Sequence, residues 1–266
     1  MVTTVAPHPG RVLREWRLRR RLSQLDVSSR TGVSTRHLSC VETGRARASR
    51  ELLLYLSQEF EMPQRATNEM LLAAGFAPVY SDVDLSDAAM EAVRDVIALV
   101  LAGNDPNPTT VIDSRWNLVD ANAAAFWLCR GVDPTLLAPP LNIARLSLHP
   151  DGLARCATNF DEFAAQLLWH MRHTLATTHD PVLASLIDEC EGYAPDAARR
   201  VPITADVVLP IRLHFDDLDT PGDVSFLSTT TTFTAAHDVN LSELAIETLY
   251  PADEATRALL ASRPWE

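Results

Sequence analysis

The stretch SQLDVSSRTGVSTRHLSCVETGR, residues 23–45, decides the fold of the N-terminal part of the chain. Ser23 and Ser34 stand where a side-chain oxygen can cap the first turn of a helix. Gly32 and Gly44 stand where a helix can end, because glycine readily adopts the left-handed conformation found there. The stretch therefore predicts two short helices, over 24–31 and 35–43, joined by the turn TGVS.

The second of these helices has two unlike sides when successive residues are placed about 100° apart. We expect the inner side to pack on Leu25 and Val27 of the preceding helix. The inner side is formed by Leu38, Val41 and Glu42. The outer side is formed by Arg36, Ser39, Cys40 and Thr43. A slim outer face with one long donor near its N-terminus suits a helix that reads the DNA major groove. A helical hairpin with an ordinary polar surface would show the same pattern.

The flanking sequence predicts three more helices, over 10–22, 50–60 and 64–75, and shows no strand pattern. The charge of this region differs from that of the rest. Residues 1–75 hold 12 arginines and 7 acidic residues, a balance of +5, whereas the remainder has a balance of −17. Such asymmetry indicates a head that binds a polyanion and an acidic body that does not. All 23 basic residues are arginine.

The sequence after a boundary at 76–87 predicts a mixed α and β body. An amphipathic helix covers 88–103, and two β-prone runs, TTVID and WNLVDAN, are spaced as a hairpin. Further helices are predicted over 123–129, 160–180 and 181–193. Strands are predicted over 206–215, over 223–235 and within 241–250.

Several classes of protein are disfavoured. No apolar run is long enough for a membrane helix, the N-terminus has no signal-peptide pattern, and we expect a cytoplasmic protein. The four cysteines form no C-x-x-C pair, so a zinc site or a disulfide framework is not indicated. Without a G-x-S-x-G, P-loop or H-E-x-x-H motif, we expect no enzyme and no cofactor. His170 and His173 share a helix face, but no third metal ligand is evident.

The segment LSQLDVSSRTGVSTRHLSCVETGRARAS resembles the XRE family of helix-turn-helix DNA-binding domains. The resemblance implies that Gln24 holds a phosphate, and that a buried pair, Arg17 and Glu42, ties the first helix to the third. Residues facing base edges would be Thr35, Arg36 and Cys40, with Ser39 on the same outer face. Residues in the loop along the DNA backbone would be Arg45 and Arg47. Cysteine at position 40 departs from the longer polar residue common in relatives, so specificity would depend on Arg36.

Three later segments, NPTTVIDSRWNLVDANAAA, PPLNIARLSLHPDG and STTTTFTAAHDVNLSELAIETLYPADEAT, resemble the ligand domain of MmyB-like transcription regulators. The resemblance implies a PAS-like α+β fold with a cavity for a fatty-acid-like effector. Apolar candidates for the cavity wall are Phe126, Trp127, Phe160, Phe163, Leu167 and Phe226. An ordinary core would show the same stripe. Arg145 and Arg172 are candidates to hold a ligand carboxylate, or they form structural ion pairs.

We therefore expect a one-component transcription regulator. Its domains would be an all-α five-helix DNA-binding domain at 1–76, a linker and connecting helix at 77–103, and an α+β PAS-like ligand domain at 104–266. Its partners would be double-stranded operator DNA, a small apolar or acyl ligand, and a second copy in a homodimer. Two alternatives remain: an antitoxin-like or assembly protein whose body binds a protein partner, and a DNA-tethered enzyme.

Overall fold

The computed structural model describes residues 8–200, 209–216, 222–233 and 236–263. Contacts between residues divide the chain into two compact units. The head unit comprises the residues up to Asp82 together with His237–Val239, and the body unit comprises Val83–Ala236 and Asn240–Glu266. No helix within the described ranges is both long and apolar enough to cross a membrane.

The head unit is built from five helices around one apolar core. They are α1 Pro9–Arg19, α2 Gln24–Thr31, α3 Thr35–Glu42, α4 Arg50–Glu59 and α5 Gln64–Ala73. The core includes Leu13, Val27, Leu38, Leu56 and Met70. The predicted helices are confirmed, although α1 ends earlier than expected because Arg21 takes a left-handed conformation, φ 56°.

One expectation about the head core is wrong. Leu25 does not pack under α3 but is 66% exposed, whereas Val27 is completely buried. The two residues are two positions apart on α2, and residues at that spacing do not share a helix face. Close packing of α1 on α3 instead depends on Gly10. A Cβ at this position would lie 2.0 Å from the carbonyl oxygen of Val41, so no larger residue fits there.

The C-terminal end of the head unit is held by side-chain and backbone bonds. The Asn68 side chain accepts the N–H groups of Val79 and Tyr80 at 3.0 and 3.1 Å. Further along, Ser81 forms an isolated bridge with Asp238. The segment around Asp238 therefore belongs to the head unit, although it lies far away in the sequence.

The body unit is an antiparallel sheet covered by helices, the α+β class predicted. Its helices are α6 Glu91–Asn104, α7 Ala123–Leu128, α8 Ile143–Leu148, α9 Phe160–Thr178, α10 Pro181–Tyr193, α11 Pro195–Ala198, α12 Val239–Ser242 and α13 Glu254–Ala261. The first residue of α12, Val239, is assigned to the head unit. Its strands are β1 Thr109–Ile112, β2 Leu118–Ala121, β3 Ile211–Phe215, β4 Gly222–Thr232 and β5 Ala245–Pro251. The strand order is β2-β1-β5-β4-β3.

The body differs from the expected elements at three places. Residues 206–208 of the strand predicted over 206–215 lie outside the described residues, and β3 begins at Ile211. The predicted strand within 241–250 begins only at Ala245, because α12 occupies Val239–Ser242. The short helices that are not predicted from the sequence are α8, α11, α12 and α13. Asn142 and Asp253 cap α8 and α13 with their side chains.

The two faces of the sheet pack on different elements. Val111 and Ile246, which are paired across β1 and β5, face Ile97 and Leu101 of α6. The opposite face carries Thr110 paired with Glu247, and it is covered by α7, α8 and α9. A central strand such as β5 is therefore covered on both faces, and its side chains alternate between two enclosed environments.

Candidate functional site

The helix α3 is fixed in the head by its cap and its buried side. The Ser34 hydroxyl accepts the N–H of His37 at 3.2 Å, and this caps the helix N-terminus. Leu38 and Val41 are buried, as the wheel of α3 predicts. The other side of the helix is therefore available to a groove.

The predicted DNA-contacting residues lie on this other side and in the loop after α3. Thr35, Ser39 and Cys40 are half-buried, and their short side chains leave the surface flat. The exposed arginines are Arg36, Arg45 and Arg47. Within the part of the chain that the structure describes, these three guanidinium groups have no carboxylate partner. They present uncompensated positive charge, which is the property that phosphate and guanine recognition requires.

Other arginines of the head are already paired with acids. These pairs are Arg11 with Glu15, Arg30 with Glu59 and Arg65 with Asp82. Among the described residues, six head arginines have no carboxylate partner, and three of them, Arg36, Arg45 and Arg47, lie on α3 and in its loop. The other three are Arg14, Arg21 and Arg50.

The predicted pair between Arg17 and Glu42 is confirmed. The Arg17 Nε and Nη2 atoms lie 2.6 and 2.9 Å from the two oxygens of Glu42, and both residues are buried. Gln24, expected to hold a phosphate, donates its side-chain N–H to Glu42 Oε2 at 2.8 Å. Gln24 is therefore oriented by Glu42 at the start of α2, next to α3.

The body contains an apolar cavity between the sheet and its covering helices. It leaves about 100 Å³ to the centre of a water-sized sphere, and about 770 Å³ when all space between atoms out to the open solvent is counted. Its wall is formed by Pro108, Thr110, Ala125, Leu128, Cys129, Ile143, Leu146, Ser147, Leu153, Phe163, Leu167, Ile211, Leu213, Glu247 and Leu249. Aliphatic side chains dominate this wall. Burial raises the pKa of the Cys129 thiol to about 11, so the thiol stays protonated and adds no charge.

Glu247 is the wall residue that sequence reasoning missed. It is half-buried on β5, and the Ser228 hydroxyl donates to its Oε1 at 2.6 Å. Burial raises the pKa of this carboxyl group, and the hydrogen bond from Ser228 partly opposes the shift. The sequence AIETLYP places this acid in a strand, but only the sheet shows that the strand is covered on both faces, where an acid without a partner is costly.

The comparisons with known proteins identify both units. Residues 93–262 match the family model of the MmyB-like transcription regulator ligand binding domain, and residues 10–69 match a helix-turn-helix domain. The chain belongs to the MmyB-like transcription regulators. It is a DNA-binding transcription regulator with a ligand-binding domain. A search of curated proteins gave no significant match.

In this MmyB-like regulator, the cavity includes two of the six apolar residues predicted for it. Phe163 and Leu167, one helical turn apart on α9, lie on the wall. The other four lie elsewhere. Phe226 is completely buried in the core of β3 and β4, and Phe160 packs among the helices. Phe126 is 53% exposed. The Trp127 ring packs 5.9 Å from that of Phe215, with the Arg130 guanidinium over it.

The two arginines predicted to hold a ligand carboxylate are not on the cavity wall. Arg145 Nε and Nη2 bind the two oxygens of Glu189 at 2.6 and 2.8 Å. Arg145, together with the Tyr193 hydroxyl, lowers the pKa of Glu189 to about 2. Arg172 Nη2 donates to Glu191 at 2.7 Å and to the Ala198 carbonyl at 2.8 Å. Both arginines thus have the contacts of structural ion pairs, the alternative that the sequence left open.

Neither matched domain is an enzyme family. Among the described residues, no group of three or more His, Cys, Asp or Glu side chains could hold a metal ion. His170 and His173, the pair that shares a helix face, instead contact the ring of Trp169 at 5.0 and 5.5 Å between ring centroids. Burial and the neighbouring His173 lower the pKa of His170.

Proposed function

We propose that this regulator binds an effector with a long aliphatic chain in the body cavity, and that occupancy of the cavity changes its affinity for operator DNA. The observation that carries the proposal is the cavity itself, which has an aliphatic wall and lies within the domain that matches a ligand-binding family. In its apolar part the effector would be fatty-acid-like.

The aliphatic wall favours the binding of such a chain. Burial contributes on the order of 0.8 kcal/mol per CH₂ group. About ten methylenes would therefore supply roughly 8 kcal/mol before the costs of association are subtracted. Micromolar affinity corresponds to about 8 kcal/mol net, so the contacts of the head group have to offset the costs of association.

We further propose that the regulator reads its operator through Arg36 and holds the DNA backbone through Arg45 and Arg47. Arg36 lies in the first turn of α3, where recognition helices contact base edges, and good bidentate contacts contribute about 1–3 kcal/mol. The two loop arginines lie beyond the end of α3. Thr35, Ser39 and Cys40 would allow close approach of the helix, and Gln24 would contribute at the start of α2.

The DNA part is tested with the operator selected by the full-length protein from random-sequence duplexes. We expect Arg36→Ala to weaken operator binding by about ten- to a hundredfold, and binding to random DNA much less. Arg47→Ala serves as the matched comparison, because it should weaken both alike and reduce the salt dependence. Equal losses on both DNAs for Arg36→Ala would remove it as a base-reading residue.

We also propose a homodimer as the DNA-binding form. One head reads only a few base pairs, whereas two heads about one helical turn apart read a palindrome. Sedimentation of the full chain with and without operator is the test. A monomer at concentrations that saturate the operator with one head would contradict the proposal.

The regulatory part is tested by calorimetry with aliphatic compounds of increasing chain length, with and without operator. A ligand changes DNA affinity only if it prefers one of two protein arrangements, and the coupling is reciprocal. We therefore expect ligand affinity to differ between free and DNA-bound protein. Failure of every chain length to bind would remove the ligand proposal, and equal affinity in the two forms would remove only the coupling.

A further inference from the structure

The cavity wall is unusual in the ionisable side chains that it contains. Of the fifteen residues on its wall, Glu247 is the one whose side chain is ionised in its ordinary state at neutral pH. All 23 basic residues of the chain are arginine, and every arginine falls within the described ranges. None of these arginines lies on the wall. The described structure therefore offers an acid, and no base, to the head group of a ligand.

The carboxyl group of Glu247 has bonding capacity to spare. A carboxylate accepts about four hydrogen bonds when its lone pairs are satisfied. Within the described residues, the hydroxyl of Ser228 is its hydrogen-bond partner, and this donor reaches only Oε1. A partly buried carboxyl group with one neutral donor is undersupplied, because desolvation is offset only by further donors or by an opposite charge.

The position of Glu247 on the wall is set by the register of the sheet. In β5 it is paired with Thr110 of β1 on one side and with Thr230 of β4 on the other. Leu249, two residues along, lies on the same face and also on the wall. A shift of register by one residue would move the side chains of Glu247 and Leu249 to the opposite face of the sheet. The acid is thus a fixed part of the cavity.

We infer that the cavity selects an aliphatic ligand whose head group donates hydrogen bonds, and that Glu247 is the residue that determines this specificity. A protonated primary amine fits best, because it brings three donors and the opposite charge. An alcohol supplies one donor, so we expect it to bind less tightly than the amine. A carboxylate is disfavoured, because a second negative charge beside Glu247 is repelled in a site of low polarity. The inference rests on the proposed function, since it concerns the ligand of the same cavity.

The test is a matched series of decylamine, decanol and decanoate, measured by calorimetry on the full-length protein at neutral pH and below micelle-forming concentrations. The three compounds share one chain, so the differences between them report the head group. We expect decylamine to bind the wild type at least about tenfold more tightly than decanoate, with decanol between them. Glu247→Gln should reduce that ratio to about threefold or less, by weakening the amine and strengthening the acid.

The control is Glu243→Gln. Glu243 also has a serine contact, with the Ser114 hydroxyl at 3.3 Å, but it is not on the cavity wall. Both substitutions remove one negative charge from the acidic body, so any general attraction of amines to that body changes equally. Thermal melting of both variants checks that they are folded. We expect Glu243→Gln to keep the wild-type order and ratio.

The possible failures are distinguishable. If decanoate binds the wild type as tightly as decylamine, or if Glu247→Gln leaves the ratio unchanged, the head-group inference is overturned and the aliphatic cavity stands. If none of the three compounds binds, the proposed ligand function fails, and the inference fails with it.

Discussion

The head contains a buried glutamate and the body a half-buried one, and the two carboxyl groups differ in the number of hydrogen-bond donors around them. Glu42 in the head accepts three charged or amide donors, two from Arg17 and one from Gln24. Glu247 in the body accepts one hydroxyl donor from Ser228. The first carboxyl group joins α1, α2 and α3, whereas the second faces a cavity. A carboxyl group whose acceptor sites are filled by protein donors has a structural role. A carboxyl group that faces a cavity and still has free acceptor sites is available to a ligand.

The Arg145–Glu189 pair lies between these extremes. It joins α8 to α10 by two charge-assisted bonds, yet about a third of each side chain is exposed. Its arginine already binds a protein carboxylate through two donors, as Arg17 does, although it is less buried. This contrast separates arginines that hold helices together from arginines that bind anions, and we expect the unpaired Arg36 to belong to the second class.

The largest effect is expected from breaking the Arg17–Glu42 pair. Arg17→Met leaves Glu42 buried without its cation, and removal of one partner of a buried pair costs about 3–5 kcal/mol. The double variant Arg17→Met/Glu42→Leu should recover most of this loss, because both charges are then absent. Hydrogen exchange of the α3 amides in the full chain measures the local opening. Equal protection in the single variant and the wild type would contradict a structural role for the pair.

A smaller effect is expected from Arg145→Met. Stability should fall by on the order of 1 kcal/mol, a figure reduced for the partial exposure of the pair. The folded-state pKa of Glu189 is lowered from 4.5 to about 2, so its contribution is present above pH 4.5 and is lost as pH falls through about 2. The variant should show less of this acid-induced loss. Protection of the α8 and α10 amides, measured against pH, is the readout.

The same variant tests the sequence-based alternative for Arg145. If the role of Arg145 is structural, the affinities for decanoate and decylamine should stay within about twofold of the wild type, because a residue off the cavity wall makes no contact with the ligand. Lost decanoate binding with unchanged stability would show that Arg145 holds a carboxylate. Glu189→Gln is the matched control, because it weakens the pair and leaves the arginine in place.

Local sequence signals were sufficient for the head and for most elements of the body. Caps such as Ser23, Ser34 and Asp180 mark helix starts, and the structure has a side-chain cap bond at each. Such bonds are made within a few residues, so they can be seen in the sequence. Leu25 was misassigned because apolar character does not tell which side of a short helix is covered.

The cavity could be predicted only in part, because it depends on which strands are neighbours. Phe163 and Leu167 were found from the stripe of α9, but the same reasoning included Phe126 and Phe226, which other elements expose or bury. Glu247 becomes a wall residue only when β5 lies between β1 and β4. The pairing of β1 with β5 joins segments more than a hundred residues apart, and periodicity along the chain carries no record of it.

The smallest effect is the pH dependence of the body around Glu247, and it sharpens the comparison of the two glutamates most directly. Burial raises the folded-state pKa of Glu247 above its ordinary value of 4.5. The folded state then binds more protons than the unfolded state between these two pKa values, so stability falls as pH rises through that interval. Glu247→Gln should remove this fall and make the body slightly more stable than the wild type at neutral pH. Glu243→Gln should leave the profile unchanged. Exchange rates of the β5 amides, recorded from acid to neutral pH, give the comparison.

Addition of decylamine extends this measurement to the bound state. An ammonium beside the carboxyl group favours its ionised form, so the bound wild type should lose the fall in stability that the free protein shows. Decanol, which lacks the charge, should protect the β5 amides without changing the slope. In Glu247→Gln the two compounds should act alike, since the titrating partner is gone. A wild-type slope that decylamine and decanol change equally would mean that burial of the chain, and not the charge on the head group, controls Glu247.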